Sequence, residues 1–128
     1  MDTERSTAIT VGGREYELVL TTRATREIAK RYGGLESLGE TLMKSENAEM
    51  ALAEIVWIVC LLANQAIQIH NLTHKDEKEE LLTEDEIDLL TTPAELTEYK
   101  DAIVEAMRKG TKRDIESEGE DAKNAAAG

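Results

Sequence analysis

The pattern of residues 7–20 is an alternation of apolar and polar positions around a pair of glycines, Gly12 and Gly13. A two-residue hairpin turn needs positive φ at its centre, which glycine adopts without steric cost. The spacing therefore predicts a β-hairpin whose apolar side is covered by a helix, because a lone hairpin is marginal in water. Its second strand carries Tyr16, Leu18 and Leu20 on one face, with Glu15, Glu17 and Val19 on the other.

Helical spacing follows the hairpin directly. A helix from Thr22 to Tyr32 is predicted, ended by the glycines at 33 and 34, and it supplies the partner for the hairpin. Its expected buried positions are Thr25, Ile28, Ala29 and Tyr32. A second short helix is marked by Leu35, Leu38, Leu42 and Met43.

The third predicted helix is the most apolar part of the chain. It extends over about residues 46–70 with Ser45 as N-cap, and within it Glu54 alone interrupts the run MALAEIVWIVCLLA. Because Asn64 and Gln65 end that run before the roughly 20 residues of a membrane span, it indicates a buried central helix with Trp57 as the largest packing unit. The alternative is that a partner covers part of it.

Two capping boxes organise the C-terminal half. Thr83 with Glu86 precedes a short helical turn through Leu90, and Thr92 with Glu95 precedes a last helix that begins at Pro93. That helix is expected to run to about Lys109, to end at Gly110, and to bury Leu96, Tyr99, Ile103, Ala106 and Met107. Residues 111–128, which hold a single large apolar residue, are expected to be a disordered acidic tail.

These elements predict one domain over residues 1–110. Its class is α+β and mostly helical, with an N-terminal β-hairpin packed on a small bundle of about four helices.

Charge narrows the range of partners. The chain of 128 residues has a formal net charge of −12, which disfavours nucleic acid and anionic membrane surfaces as partners. Cys60 is the only cysteine, so an intrachain disulfide is excluded, and the N-terminus lacks the pattern of a signal peptide. A cytoplasmic location is expected.

The distribution of charge is uneven. Residues 71–100 carry ten acidic side chains and three lysines. Five cations lie within eighteen residues near the N-terminus: Arg14, Arg23, Arg26, Lys30 and Arg31. On the first helix, Arg23, Arg26 and Lys30 form either an ordinary solvated face or a docking surface for an acidic partner, and the leucines of the second helix are either core or part of the same surface.

Candidate catalytic chemistry is sparse. His70 and His74 have the separation of two metal ligands on one helix face, but Asn71 stands where a zinc protease has its glutamate, so two exposed polar residues near a helix end are expected. Cys60 has no basic neighbour within a helical turn and fits a small buried hydrophobe. No phosphate-binding glycine motif occurs. The sequence predicts neither an enzyme nor a cofactor or metal site.

The order of these elements resembles the tail assembly chaperones of long-tailed bacteriophages over residues 9–43, and in outline over 46–109. The shared form is a glycine-containing turn, a Tyr-x-Leu strand, a helix that begins at threonine and ends at Tyr-Gly, and a leucine-rich short helix. The matching positions are Tyr16, Leu18, Thr22, Ile28, Lys30, Tyr32, Gly33, Leu35 and Leu38.

The resemblance implies a non-enzymatic role in virion morphogenesis. Such chaperones bind the long helical tape measure protein in the host cytoplasm, help recruit tail tube subunits, and are not part of the mature virion. Self-association is a further expectation. Partner-binding candidates are Arg23, Arg26, Lys30, Leu35, Leu38, Leu42 and Met43.

Three alternatives stay open. A head–tail connector or another morphogenesis protein and a small cytoplasmic adaptor or regulator are compatible with the pattern, whereas an enzyme has no candidate catalytic residue to support it. A longer product made by a backward ribosomal slip near residues 122–124 is also an expectation, which the codons of that region decide.

Overall fold

The computed structural model describes residues 5–44 and 48–111, with side chains for 5–42 and 51–111. Its elements are β1 (Ser6–Val11), β2 (Arg14–Val19), α1 (Thr22–Tyr32), α2 (Leu35–Lys44), α3 (Ala48–Thr73), α4 (Glu84–Leu90) and α5 (Pro93–Thr111). The α+β class with a helical majority is confirmed, and the described residues contain five helices where about four were predicted. The expected Ser45 cap and the tail beyond Thr111 lie outside the described residues.

The hairpin has the predicted turn. β1 and β2 pair antiparallel with Val11 opposite Arg14, and φ is 60° at Gly12 and 84° at Gly13. Gly12 has a second constraint, because a Cβ at this position would lie 2.9 Å from Cδ1 of Leu90. The end of α4 therefore lies against the turn.

The helices that cover the hairpin are α3 and α5, and the prediction that α1 covers it is wrong. α1 contacts mainly α2 and α3. Its bounds match the prediction, with Thr21 as N-cap and Gly33 in a left-handed conformation as C-cap. The buried residues of α1 are Ala24 and Ile28, while Ala29 is exposed. The buried face of α1 is thus rotated from the predicted one, because α1 packs on α2 and α3 and not on the hairpin.

α3 runs through the centre of the fold and ends three residues later than expected. Its segment Ala51–Thr73 has a mean hydropathy of 1.7, enough by length and composition to cross a membrane, and 44% of the apolar window is buried within the fold. Its most extensive contacts are with β2 and α5. Trp57 and Cys60, predicted to be buried, are both only partly buried.

α5 does not end at Gly110, contrary to the prediction. The helix continues to Thr111, and a Cβ at Gly110 would lie 2.6 Å from Cβ of Leu20. The glycine therefore permits close approach of α5 to the chain after β2. The predicted stripe is otherwise confirmed: Leu96, Tyr99, Ile103 and Ala106 are buried and Met107 is partly buried.

Candidate functional site: a groove along α3

Three elements form an open groove of about 330 Å³ with α3 as its floor. The floor consists of Trp57, Cys60, Leu61, Asn64, Gln65 and Gln68, which recur at helical spacing. One wall is α1, through Arg23 and Glu27, and the other includes Glu84 at the start of α4. The groove therefore has a partly apolar floor between an α1 wall that carries a guanidinium and a carboxylate and an α4 wall that carries a carboxylate.

The α1 wall is held antiparallel to α3 by polar contacts at both ends. At one end the Thr21 hydroxyl donates to Oε1 of Gln65, and Nη1 of Arg23 donates to Oε1 of Gln68 at 3.1 Å. At the other end the Tyr32 hydroxyl donates to Glu54. These contacts place the first turn of α1 beside Gln68 and its last turn beside Trp57.

The Trp57 end of the groove is an aromatic cluster. The rings of Tyr32 and Trp57 meet edge to face with centroids 5.8 Å apart, and the Arg31 guanidinium lies 4.5 Å above the Trp57 ring. Nε of Arg31 also lies 3.4 Å from Oε1 of Glu54. These contacts orient the indole, while its remaining surface lines the groove.

The second wall is attached to α3 by the side-chain amide of Asn64. Nδ2 of Asn64 donates to the Leu82 carbonyl at 2.8 Å, and Oδ1 of Asn64 accepts from the Leu82 amide at 2.7 Å. Two turns further on, Asn71 makes the same pair of bonds with Glu79. The segment before α4 is therefore held along α3 by side-chain amides that both donate to and accept from its backbone.

Cys60 lies beneath this attachment, and its thiol donates to the Leu82 carbonyl at 3.3 Å. Burial, followed by the nearby Glu84 carboxylate, raises the pKa of the thiol from its ordinary value of 9.0 to about 11. The thiol stays protonated at neutral pH and lacks the character of a nucleophile.

The cations proposed from sequence lie on α1, and all three are exposed. Nζ of Lys30 lies 3.6 Å from Oε2 of Glu27, while Arg23 contacts the neutral Gln68. Within the described residues, Arg26 makes no ion pair. Of these cations, Arg23 lines the groove.

The leucines proposed beside them are mostly core. Leu38 is 0% exposed and Leu42 is 1% exposed, which favours the core interpretation of these positions. Leu35 is partly buried against the core, and the side chain of Met43 lies outside the described ones. The structure thus brings Arg23 together with α3 residues that were not proposed for binding. The signal for them was the polar sequence of Asn64, Gln65 and Gln68 continuing the helical face of Trp57 and Leu61.

The two histidines stack at the far end of α3, with ring centroids 4.3 Å apart. Nε2 of His70 lies 3.0 Å from the Glu77 carbonyl, and Nδ1 of His74 lies 2.9 Å from the Thr73 hydroxyl. Over the described side chains, no group of three His, Cys, Asp or Glu residues is placed to hold a metal ion. These histidines line a second groove of about 360 Å³ between α3 and β2, where Arg14 binds Glu79.

Comparison of this chain with family models, curated proteins and solved structures finds no match. Functional inference therefore depends on the groove and on the residues that form it.

Proposed function

We propose that this protein is a non-enzymatic tail assembly chaperone of a long-tailed bacteriophage, which binds a helical segment of the tape measure protein in the groove along α3. In this proposal it acts in the cytoplasm of the bacterial host, helps recruit tail tube subunits, and is absent from the mature virion. The observation that carries the proposal is the partly apolar groove floor between two helical walls, since an amphipathic helix binds in such a groove through its apolar face.

The size of the groove suits a short helical segment. From Trp57 to Gln68 the floor covers about 16 Å of α3 at 1.5 Å per residue, or roughly three turns. The partly buried Trp57 and Leu61 supply apolar surface for a partner, and tryptophan is enriched among the residues that dominate binding energy. A helix bound here would bury the surface of Trp57 and Leu61 that α1 and α4 leave exposed to solvent.

The walls give the bound helix a preferred orientation. Glu27 on the α1 wall lies 3.6 Å from Nζ of Lys30, so Arg23 favours an acidic edge of the partner there, and Glu84 on α4 favours a basic edge. A tape measure segment with an apolar stripe flanked by opposite charges therefore fits better than a uniformly acidic one.

The test is co-expression with the protein encoded by the longest open reading frame just downstream, followed by size-exclusion chromatography with mass determination. A soluble complex is expected where the long protein alone is insoluble. Leu61→Asp should weaken the complex by about 2 kcal/mol or more, roughly thirtyfold, because it places a carboxylate on the groove floor.

The matched control is Leu89→Asp, which adds the same charge at a side chain that is 85% exposed on α4 and does not line the groove. Equal losses for the two variants would contradict the groove as the binding site. No complex with the wild-type chain, combined with assembly of the chain alone into a closed ring, would replace the chaperone proposal with a connector.

A further inference from the structure

The hairpin has two edges, and side chains of α5 bond to one of them. In an antiparallel pair, every second residue directs its backbone N–H and C=O away from the partner strand. The two-residue turn is flanked by a hydrogen-bonded pair, so the outward residues of β1 are Ser6, Ala8 and Thr10. Nζ of Lys109 donates to the Ser6 carbonyl at 2.7 Å, and the Tyr99 hydroxyl donates to the Thr10 carbonyl. The β1 edge is therefore occupied by α5.

The edge along β2 has no comparable cover. Its outward residues are Glu15 and Glu17, followed by Val19, which is buried. Within residues 5–44 and 48–111, no group bonds to the outward backbone N–H or C=O of Glu15 or Glu17. An edge with unpaired backbone groups is a template for a further strand.

The second groove, of about 360 Å³ between β2 and α3, gives such a strand a floor. Ala66 and Ile69 on this floor are only partly buried, so part of their apolar surface remains in contact with water. His70 and His74 line its α3 side. Because successive side chains of a strand point to opposite faces, every second side chain of an added strand would point towards α3 and cover this apolar surface.

The charges along the β2 edge are acidic. The Arg14 guanidinium is neutralised, since its Nη2 lies 3.2 Å from Oε1 of Glu79. Glu15 and Glu17 lie on the face of β2 opposite to the buried Leu18, and neither forms an ion pair with a described residue. The Ser6 hydroxyl donates to Oε1 of Glu17 at 2.6 Å, which leaves the charge of that carboxylate in place. A basic strand is therefore the complementary partner.

A second copy of the chain fits this edge less well. Antiparallel pairing of β2 with the β2 of another copy, centred on Tyr16, would place Glu15 opposite Glu17 on both sides of the centre. Like charges directly opposite each other destabilise a strand pair, whereas opposite charges stabilise it.

We propose that the β2 edge binds an extended segment of a partner protein as a third strand, with basic side chains on one face of the segment and apolar side chains on the other. Backbone bonds to Glu15 and Glu17 fix its register, and its basic side chains lie opposite the two carboxylates. Its apolar side chains enter the groove between β2 and α3. This site goes beyond the proposed function, because it lies on a different face of α3 from the groove between α1 and α4.

The binding of a third strand is tested on the full chain with a synthetic probe, a capped peptide of about seven residues in which lysine and valine alternate. With about nine of ten chains occupied, hydrogen exchange at the Glu15 and Glu17 amides should slow about tenfold, because it then proceeds through the free tenth. The amides of Ala8 and Thr10 on the β1 edge are the internal control and should be unchanged. Slowing at the β1 edge, or at neither edge, would overturn the proposal.

A second peptide separates strand pairing from simple attraction to an acidic chain. It has the same sequence and charge, with methyl groups on the backbone nitrogens that face β2. Loss of these donors should weaken binding by about tenfold or more. Equal affinity of the two peptides would reject strand pairing.

The preference for basic side chains is tested by Glu15→Gln combined with Glu17→Gln, which keeps an acceptor for the Ser6 hydroxyl. Binding of the lysine–valine peptide should weaken by about three- to thirtyfold, because each cross-strand charge pair contributes up to about fivefold. The matched control is Glu36→Gln combined with Glu40→Gln, which makes the same change of charge at exposed positions on α2 and should change the affinity by less than about twofold. Equal losses would reject the charge pairing.

Self-association is the remaining outcome. A dimer that slows exchange at Glu15 and Glu17 without any peptide would overturn the proposal and assign the edge to a second copy. None of these measurements uses the tape measure protein, so failure of this site and failure of the proposed function are distinguished.

Discussion

The two sides of α3 differ in how completely the fold covers them. On the side of the sheet and α5, residues such as Ile58, Val59 and Leu62 are 0% exposed. On the groove side, Trp57 and Leu61 are only partly buried, although they belong to the same apolar run. The difference arises because α1 and α4 stay apart on the groove side, whereas the hairpin and α5 close over the opposite side.

The largest expected effect is a difference in stability between substitutions on the covered side and on the groove side of α3. Ile58→Ala should lower the free energy of unfolding by about 2 to 5 kcal/mol, because it removes buried methyl groups and leaves a cavity. Leu61→Ala should cost about 1 kcal/mol, since part of that side chain already contacts water. Denaturant unfolding of both variants measures the contrast, and equal costs would mean that the groove side is as closely packed as the core.

A smaller effect concerns the attachment of the second wall. Asn64→Ala should destabilise the fold by about 2 kcal/mol and accelerate hydrogen exchange at the Leu82 amide, because it leaves that buried amide without its partner and the Leu82 carbonyl with the Cys60 thiol alone. Asn71→Ala removes the same two bonds from exposed Glu79, where water replaces them, and should cost about 0.5 kcal/mol. A larger loss of stability for Asn71→Ala than for Asn64→Ala would show that the segment before α4 is held to α3 mainly at Glu79.

The packing of α5 against the chain after β2 depends on the close approach of Gly110 to Leu20. Gly110→Ala should destabilise by about 1 to 3 kcal/mol, because the added methyl group would overlap the Cβ of Leu20 and neither atom can rotate away. Gly39→Ala in α2 is the control, since among the described residues no atom beyond its chain neighbours and its own helix backbone lies within 4 Å of its Cβ position, and it should stabilise by up to about 1 kcal/mol. Midpoints of thermal unfolding that shift in the same direction for both variants would contradict a steric role for the contact of Gly110 with Leu20.

The last effect on stability is the titration of Cys60, whose pH dependence is absent near neutral pH. Its pKa is higher in the folded chain, about 11, than the ordinary 9.0, so the folded state retains the proton over this range. The thiol therefore contributes stability that is present below pH 9 and is lost as the pH rises towards 11. The pH dependence of unfolding in wild type and Cys60→Ala, taken as a difference, measures this contribution.

The rate at which the Cys60 thiol is alkylated reports whether α4 separates from α3. At pH 8 the folded chain should react about a hundredfold more slowly than the chain in urea, because two pKa units lower the thiolate fraction by that factor. Equal rates would mean that α4 separates readily from α3.

Local signals in the sequence were sufficient for most element boundaries. The glycine pair, the Thr22–Tyr32 periodicity and the two capping boxes each involve groups within a few residues of one another, and the structure contains all of them. The helical wheel also predicts Arg23 as a candidate for binding. The sequence predicts Trp57 as a core residue, because an apolar run does not indicate which of its faces remains uncovered.

The sequence by itself determined the hairpin turn, the helix caps and the charge of each segment, because these depend on backbone preference and on neighbours along the chain. Only the tertiary structure decided that α3 and α5 cover the hairpin, that Gly110 lies inside a helix, and that Asn64 anchors the chain at Leu82. The reason is that these features depend on distances between residues far apart in sequence. Such distances are set by how the side chains of packed elements share space, which no periodicity within one segment encodes.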